Sequence, residues 1–245
     1  MTLGGAQFGY DYGIVNTNGK VPESESIAII RHAIAEGIEY IDTAADYGDS
    51  ERIIGKSLAD GWSNRVKVIS KLSPFNEKKL SEKHDSSLSL IVKNSFLQSC
   101  ENLKVNHLDT FMLHRAQQIN NTYIFNELKK LKEEGLINCI GVSVQSPQEL
   151  ESVLHNQDVS IIQMPYNILD YRWKAMIDEI KHEREQRNLI IHARSALLQG
   201  LLCSDDGSKW QIAGVDNYGD IISWLETKYK QHEKMSIADL CISYV

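Results

Sequence analysis

Four side chains of this sequence could together protonate a carbonyl oxygen. Asp42, Lys71 and His114 stand at the ends of three consecutive apolar segments, and Tyr47 follows shortly after Asp42. A free phenol has a pKa of about 10, so a neighbouring Lys71 ammonium would be needed to make Tyr47 a better acid near neutral pH. Asp42 would keep Lys71 charged and oriented, and His114 could donate a hydrogen bond to the substrate oxygen. The hydride for such a reduction must come from a cofactor, because no side chain supplies one.

Each of these residues also has a plain structural interpretation when it is taken alone. Asp42 could cap a turn, Lys71 could be a surface lysine, Tyr47 could pack in a glycine-bearing loop, and His114 could be a satisfied structural histidine. Taken jointly and in this order, the four favour a catalytic set. The other seven histidines show no metal-ligand spacing, so no metal site is expected.

Catalytic side chains at successive segment ends need a scaffold that brings those ends together. Nearly continuous apolar segments alternate with helical patterns, which is typical of parallel strands buried on both faces. The predicted strands are 3–8, 38–42, 66–72, 108–114, 138–144, 159–164 and 189–194. Predicted helices include one through Ile27, Ile30 and Ile34, one beginning near 85–86, one through Ile124, Leu128 and Leu131, and others at 51–60, 147–155, 172–187 and 235–245. Ser50 and Ser146 would open two of them, and 203–220 is predicted to be a long loop over the barrel mouth.

Strict alternation of strands and helices predicts one α/β domain spanning residues 1–245. Seven such units fit a TIM (β/α)8-type parallel barrel better than an open sheet, and no G-x-G-x-x-G follows any strand. The eighth β-α unit is missing from the sequence, so the first and last strands would have unpaired edges. A second subunit could cover such an edge, which leaves a homo-oligomer open.

Composition narrows the class of protein. The net charge of -7 argues against a nucleic-acid partner. No segment reaches the roughly 20 apolar residues of a membrane helix, and the N-terminus lacks a signal-peptide pattern. The four cysteines are widely spaced, as expected for reduced thiols in a cytoplasmic protein. We therefore expect a cytoplasmic protein that acts on a small molecule.

Several motifs resemble one known family. They are Gly4-x-x-Gln7-Phe8-Gly9, Asp42-Thr43-Ala44-x-x-Tyr47-Gly48-x-Ser50-Glu51, Ser70-Lys71, Leu108-Asp109-x-x-x-Leu113-His114, Gly141-Val142-Ser143 and Gln163-x-Pro165-Tyr166-Asn167. In this respect the sequence resembles the aldo-keto reductases from about residue 3 to its end. The resemblance implies a barrel that reduces an aldehyde or ketone with NADPH. It also implies a catalytic tetrad of Asp42, Tyr47, Lys71 and His114, with Tyr47 as general acid.

The same resemblance implies cofactor contacts. Ser143 and Gln163 would bind the nicotinamide carboxamide, and the segment 193–202 would contact the ring and the pyrophosphate of the cofactor. The predicted contacts in that segment are Arg194, Ser195, Leu197 and Gln199. Tyr10, Asp11, Tyr12, Trp210 and Tyr218 are candidates for a polar, sugar-sized substrate pocket.

Three departures from the family pattern leave alternatives open. Val144 replaces a usual asparagine, Arg194 replaces the aromatic residue that usually stacks on the nicotinamide, and the segment for the adenosine 2′-phosphate is missing. An alternative is therefore a catalytically weak or silent relative that acts as a binding or regulatory protein. A third hypothesis is a cofactor-free isomerase or lyase that uses Lys71 as a Schiff-base amine.

Overall fold

The computed structural model describes residues 1–73 and 87–245. Its centre is one sheet of seven parallel strands whose spatial order equals their order in the chain. The strands are β1 (Thr2–Gly4), β2 (Tyr40–Asp42), β3 (Lys67–Leu72), β4 (Leu108–Leu113), β5 (Ile137–Ser143), β6 (Val159–Pro165) and β7 (Ile190–Arg194). Within the described residues β1 pairs only with β2, and β7 pairs only with β6. The predicted (β/α)8-type barrel lacking its last unit is thereby confirmed.

Helices connect the strands and cover the outside of the sheet. They are α1 (Ala6–Gly9), α2 (Glu23–Ala35), α3 (Ser50–Ser57), α4 (Ser87–Leu103), α5 (Thr122–Glu133), α6 (Pro147–Leu154), α7 (Ile177–Gln186), α8 (Gly207–Ile212), α9 (Tyr218–Gln231) and α10 (Ile237–Tyr244). Short 3-10 turns occur at Trp62–Arg65, Ala116–Asn120, Tyr171–Met176 and Leu201–Cys203. Across the two described ranges, no helix is long and apolar enough to cross a lipid bilayer.

Of the first predicted strand, 3–8, only Leu3 and Gly4 lie in a strand. The strand ends at Gly4, where the Gly5 amide still donates to the carbonyl of Asp42 at 2.7 Å, and the chain then turns into the short helix α1. Phe8 is apolar because it packs into the core from that helix. The apolar run of the sequence therefore joins a strand to a helix, and it does not continue one strand.

Two further sequence predictions need correction, and one is untested. The segment 203–220 is not one loop, because α8 and the start of α9 lie within it. The predicted helix 172–187 begins with the 3-10 turn Tyr171–Met176 before α7. The predicted helix start near 85–86 lies outside the described residues.

The two serines predicted to open helices behave differently. The Ser146 hydroxyl accepts a hydrogen bond from the Glu149 amide at 3.3 Å, as an N-cap should. Ser50 is instead the first residue of α3, and its hydroxyl donates to the carbonyl of Gly5 at 2.8 Å. Ser50 thus ties α3 to the turn after β1.

Two separate apolar clusters hold these layers together. In the larger cluster, fully buried side chains of the outer helices, such as Ile30, Val92 and Leu128, pack against the sheet. Each such side chain contributes about 1.5 to 3 kcal/mol through its removal from water. The smaller cluster unites the segment after β7 with the last helices; it consists of Leu201, Leu202, Trp210, Leu225, Leu240 and Cys241.

A third set of apolar side chains fills part of the barrel interior. Tyr40, Ile69, Met112 and Ile161 form it. Gly141 of β5 allows the close approach of Met112, because a Cβ at Gly141 would lie 2.6 Å from the Met112 Cγ. Polar side chains further along the same strands therefore lie above an apolar floor.

Candidate active site

Strand periodicity places Asp42 and Lys71 on the barrel interior. Asp42 is two residues beyond Tyr40 and Lys71 is two beyond Ile69, so each shares a face with a residue of the apolar floor. The Lys71 Nζ lies 2.7 Å from both carboxylate oxygens of Asp42 and 2.8 Å from the carbonyl oxygen of Thr43. Lys71 is 0% exposed, and these three acceptors use all three of its N–H groups.

The charge of Lys71 depends on this pairing. Burial lowers the pKa of Lys71, while the adjacent carboxylate of Asp42 opposes that shift by attraction and hydrogen bonding. A buried ammonium survives only where a carboxylate compensates it. Asp42 is therefore the residue that keeps Lys71 cationic inside the barrel.

Tyr47 reaches this pair because two glycines let its loop lie against α1. A Cβ at Gly9 would lie 1.6 Å from the backbone oxygen of Tyr47, and a Cβ at Gly48 would lie 2.6 Å from the oxygen of Gly9. Gly48 also has a φ of +52°, which favours glycine. The Lys71 Nζ then lies 5.0 Å from the centroid of the Tyr47 ring. The ring of His114 meets that of Tyr47 edge-on, with 5.9 Å between centroids.

The protonation of Tyr47 differs from the sequence-based expectation. Burial, followed by the negative charge of Asp42, raises the pKa of the Tyr47 hydroxyl above its ordinary value. Lys71 does not reverse this shift, because both carboxylate oxygens of Asp42 already compensate its charge. Tyr47 is accordingly a neutral phenol near pH 7, which is the form that can give up a proton.

His114 is the second neutral donor. It is half-buried, and burial together with the charge of Lys71 lowers its pKa to about 4. A neutral imidazole carries one N–H and one lone pair. Among the described residues nothing hydrogen-bonds the buried Nδ1 of His114. The ring therefore keeps hydrogen-bonding capacity that the fold does not use.

These side chains surround a cavity of about 420 Å³ at the carboxyl ends of the strands. Asp42, Tyr47 and His114 line it, and Lys71 lies behind Asp42. A larger cleft, about 1000 Å³, runs between β1 and β7. Ser195 and Ala196 line both spaces, so the cavity and the cleft adjoin.

The two residues predicted to hold a carboxamide line the cavity. Ser143 ends β5 and is 2% exposed, and Gln163 lies on β6 and is 4% exposed. The Gln163 amide nitrogen donates to Oδ1 of Asp42 at 3.0 Å. This bond connects Gln163 directly to the carboxylate that holds Lys71, a link that the sequence did not predict.

Arg194 is the last residue of β7 and also lines the cavity. Its guanidinium donates to the side-chain oxygen of Gln145 at 2.6 Å, to the carbonyl of Val144 at 3.3 Å and to the hydroxyl of Ser195 at 3.4 Å. Burial lowers the pKa of Arg194. Gln145 belongs to the site although no sequence motif pointed to it.

The segment after Arg194 has an unusual backbone. Ser195, Leu198 and Gln199 adopt φ values of +62°, +46° and +58°, and Gly200 follows at +89°. A non-glycine residue in this region costs about 1 to 3 kcal/mol and persists where its surroundings fix it. Buried Leu201 anchors the end of the segment in the smaller apolar cluster, which contains Trp210, Leu225 and Leu240. Strain of this kind clusters at ligand sites.

The predicted cofactor residues of this segment divide between the two spaces. Ser195 faces both the cavity and the cleft, whereas Leu197 and Gln199 line the cleft only. The predicted set is therefore arranged along a groove that leads away from Tyr47.

The suggested substrate-pocket residues separate into two groups. Tyr12 lines the cavity, and the ring of Tyr10 packs edge-on against both Tyr12 and Tyr47. Trp210 is only 1% exposed, donates its N–H to the carbonyl of Ser204 and stacks on Tyr218, so it belongs to the second apolar cluster. The expectation for Trp210 was wrong because its aromatic ring serves packing.

Comparison with solved structures places this fold among known reductases. The glycerol dehydrogenase of Gluconobacter oxydans superposes with a TM-score of 0.72 at 25% identity, covering 99% of this chain and 77% of that one. An aldo/keto reductase from Klebsiella pneumoniae, solved in complex with NADP and acetate, gives a TM-score of 0.66 at 20% identity over 91% of this chain and 71% of that one.

Sequence comparison gives the same grouping. A protein named "Probable aldo-keto reductase 1" from Glycine max is 24% identical over 170 residues, which is 66% of this chain. The matched part is 46% of that relative, so the chain spans about half the length of this curated relative. The sequence model of the aldo/keto reductase family matches residues 1–245. The chain therefore belongs to the aldo/keto reductase family.

Proposed function

We propose that this chain is an NADPH-dependent oxidoreductase that reduces an aldehyde or a ketone to an alcohol, with Tyr47 as the proton donor. One observation carries the proposal: a neutral phenol, a neutral imidazole and a compensated buried ammonium meet beside one cavity. Family membership and the NADP bound to the Klebsiella pneumoniae relative support it.

The residues of the groove suit an extended nicotinamide cofactor. The cavity beside Tyr47 could hold the nicotinamide, and the adjoining cleft could hold the rest, since Ser195 and Ala196 line both. The Gln163 amide nitrogen is engaged by Asp42, and within the described ranges no protein donor reaches its side-chain oxygen, which can accept from a carboxamide. The residues that we assign to the cofactor are Ser143, Gln163, Arg194, Ser195, Leu197 and Gln199.

When bound, a reduced nicotinamide supplies the hydride that no side chain can provide. Tyr47 donates its proton to the carbonyl oxygen, and His114 directs its N–H at the same oxygen. The charge of Arg194 favours the phenolate that remains, while the Lys71 ammonium, 5.0 Å from the Tyr47 ring centroid, is held by Asp42 and Thr43. Asp42 keeps that ammonium charged, and water returns a proton to Tyr47.

Replacement of Tyr47 by Phe tests the role of the hydroxyl. Loss of a general acid lowers turnover by about 10²- to 10⁴-fold. The substitution keeps the ring that packs on His114, so we expect NADPH to bind with a nearly unchanged Kd in a fluorescence titration. Tyr171→Phe is the matched control, because Tyr171 is an exposed tyrosine that does not line the cavity. Its turnover should stay within about threefold of the parent chain.

Three outcomes separate the alternatives. Normal turnover by the Tyr47→Phe variant would remove Tyr47 from the reaction. A parent chain that binds no NADPH at millimolar concentration would instead support the silent binding protein. Trapping of a carbonyl substrate on Lys71 by borohydride would support the Schiff-base hypothesis, which the engagement of all three Lys71 N–H groups disfavours.

A further inference from the structure

Among residues 1–73 and 87–245, no carboxylate pairs with the guanidinium of Arg194. Its three protein acceptors are the amide oxygen of Gln145, the carbonyl of Val144 and the hydroxyl of Ser195, all of them neutral. A guanidinium has five N–H donors, so its hydrogen-bonding capacity exceeds these three contacts. Within the described ranges no protein acceptor reaches its Nε.

The other half-buried arginines of the described residues are paired. Arg31 lies 3.2 Å from a carboxylate oxygen of Asp60, and Arg187 lies 2.9 Å from one of Glu183. Taking a cation out of water is costly unless an anion compensates it. The fold compensates Arg31 and Arg187 but leaves Arg194 uncompensated at the wall of the cavity.

The charges that face the cavity leave one positive charge in excess. Asp42 is the carboxylate among its lining residues, and it is already paired with Lys71. His114 is neutral near pH 7 because its pKa is lowered to about 4. Asp46 and Arg115 are exposed and are not among the residues that line the cavity, so water and salt weaken their influence. The cavity therefore attracts a small anion to Arg194.

We propose that the substrate carries a carboxylate in addition to its carbonyl group, and that Arg194 binds this carboxylate. The inference deepens the proposed function and rests on it. A carboxylate can accept from the Arg194 N–H groups that these contacts leave, among them Nε–H, while Nη2 donates to Val144 and Gln145. Because Arg194 is the uncompensated cation among the described residues that line the cavity, a singly charged carboxylate fits the site better than a phosphate dianion.

The binding of a substrate carboxylate by Arg194 also explains a cation at this position. In the family pattern, an aromatic residue stands there and stacks on the nicotinamide. The nicotinamide ring becomes positive when it is oxidised, and an uncompensated guanidinium beside it would oppose that change. A substrate carboxylate on Arg194 removes the opposition. Arg194 then acts in substrate selection as well as in lining the cofactor groove.

The test compares two aldehydes of equal chain length, 4-oxobutanoate and butanal. The readout is the ratio of their kcat/KM values at saturating NADPH. A charged hydrogen-bonded pair is worth about 10- to 100-fold, so Arg194→Met should lower the ratio by about that factor. Arg194→Lys keeps the charge but loses the planar fork, and should lower it by less. Arg115→Met is the control for a nearby exposed arginine and should change the ratio by less than about threefold.

A ratio that stays within twofold in Arg194→Met, with both aldehydes equally affected, would overturn the proposal and leave Arg194 as a cofactor residue. Calorimetric titration of succinate in the presence of NADP tests carboxylate recognition by Arg194 separately from carbonyl reduction. A parent chain that binds no NADPH at millimolar concentration refutes the proposed function. Succinate binding that Arg194→Met weakens tenfold or more would still support carboxylate recognition, and binding that the variant leaves unchanged would refute it.

Discussion

Removing the charges of Lys71 and Asp42 together should destabilise the barrel by less than the two single substitutions added together. Lys71→Met leaves the Asp42 carboxylate with the amide of Gln163 as its hydrogen-bond donor, and Asp42→Asn leaves the fully buried ammonium without a counter-charge. The double variant buries no charge at this position. The structure thus defines a double-mutant cycle on one pair.

The expected magnitude follows from the geometry. Two unit charges 2.7 Å apart attract by about 6 kcal/mol at an effective dielectric constant of about 20. Breaking a buried pair by removing one partner costs about 3 to 5 kcal/mol. In Asp42→Asn the cost is limited to about 5 kcal/mol at pH 7, because Lys71 can lose its proton instead. The double variant should cost less than the sum of the single variants by about 3 kcal/mol.

Equilibrium unfolding in urea at pH 7, followed by circular dichroism, measures these free energies. Lys67→Met is the matched control, since Lys67 lies on the same strand but is exposed and hydrogen-bonds only the Tyr40 hydroxyl. It should cost less than about 1 kcal/mol. Single-variant effects that add to the double-variant effect within about 0.5 kcal/mol would refute the coupling. Cation and carboxylate would then be independent, and Asp42 could not be what keeps Lys71 charged.

Two further predictions concern His114 and Gly9. The pKa of His114 is lowered to about 4 in the fold from about 6.5 when unfolded, so its stabilising contribution is complete above pH 6.5 and is lost as the pH falls toward 4. When the pH is lowered from 6.5 to 4, the Tm of a His114→Asn variant, followed by circular dichroism, should therefore fall less than the Tm of the parent chain. Parallel curves of Tm against pH for the two proteins would contradict the lowered pKa. Gly9→Ala places a Cβ 1.6 Å from the Tyr47 backbone oxygen, so this loop must move, and kcat/KM should fall at least about tenfold. Gly219→Ala, with nothing within 4 Å of its added Cβ, should leave kcat/KM unchanged; equal behaviour of the two variants would show that the Tyr47 loop tolerates the shift.

The strands were predictable because each is short, apolar and followed by a helix. Buried parallel strands need apolar side chains on both faces, which makes runs such as 66–72 and 108–114 stand out from the amphipathic helices. The places of Asp42, Lys71 and His114 then follow, because a parallel barrel brings every strand's carboxyl end to one rim. Their catalytic roles remain predictions until the variants are measured.

Features set by tertiary contacts were not predictable. The sequence spacing of Gln163 and Asp42 does not predict their hydrogen bond, because the two residues lie on strands that are distant in the chain. The pKa of Tyr47 is raised first by burial and then by the charge of Asp42, and the degree of burial of one side chain is set by tertiary packing rather than by local sequence. Trp210 was misassigned because an aromatic side chain between polar neighbours suits a binding pocket and a local core equally well.

The two apolar clusters of the fold have a consequence for its local unfolding. The segment after β7 packs its helices around Trp210, Leu225 and Leu240, separately from the core beneath the sheet. Regions with their own core can open without global unfolding. Amide protons of α8 to α10 could thus exchange with solvent while the central strands stay protected. Because Leu201 and Leu202 of the same cluster anchor the strained segment 195–200, such an opening would release the groove wall and leave the ammonium–carboxylate pair in place.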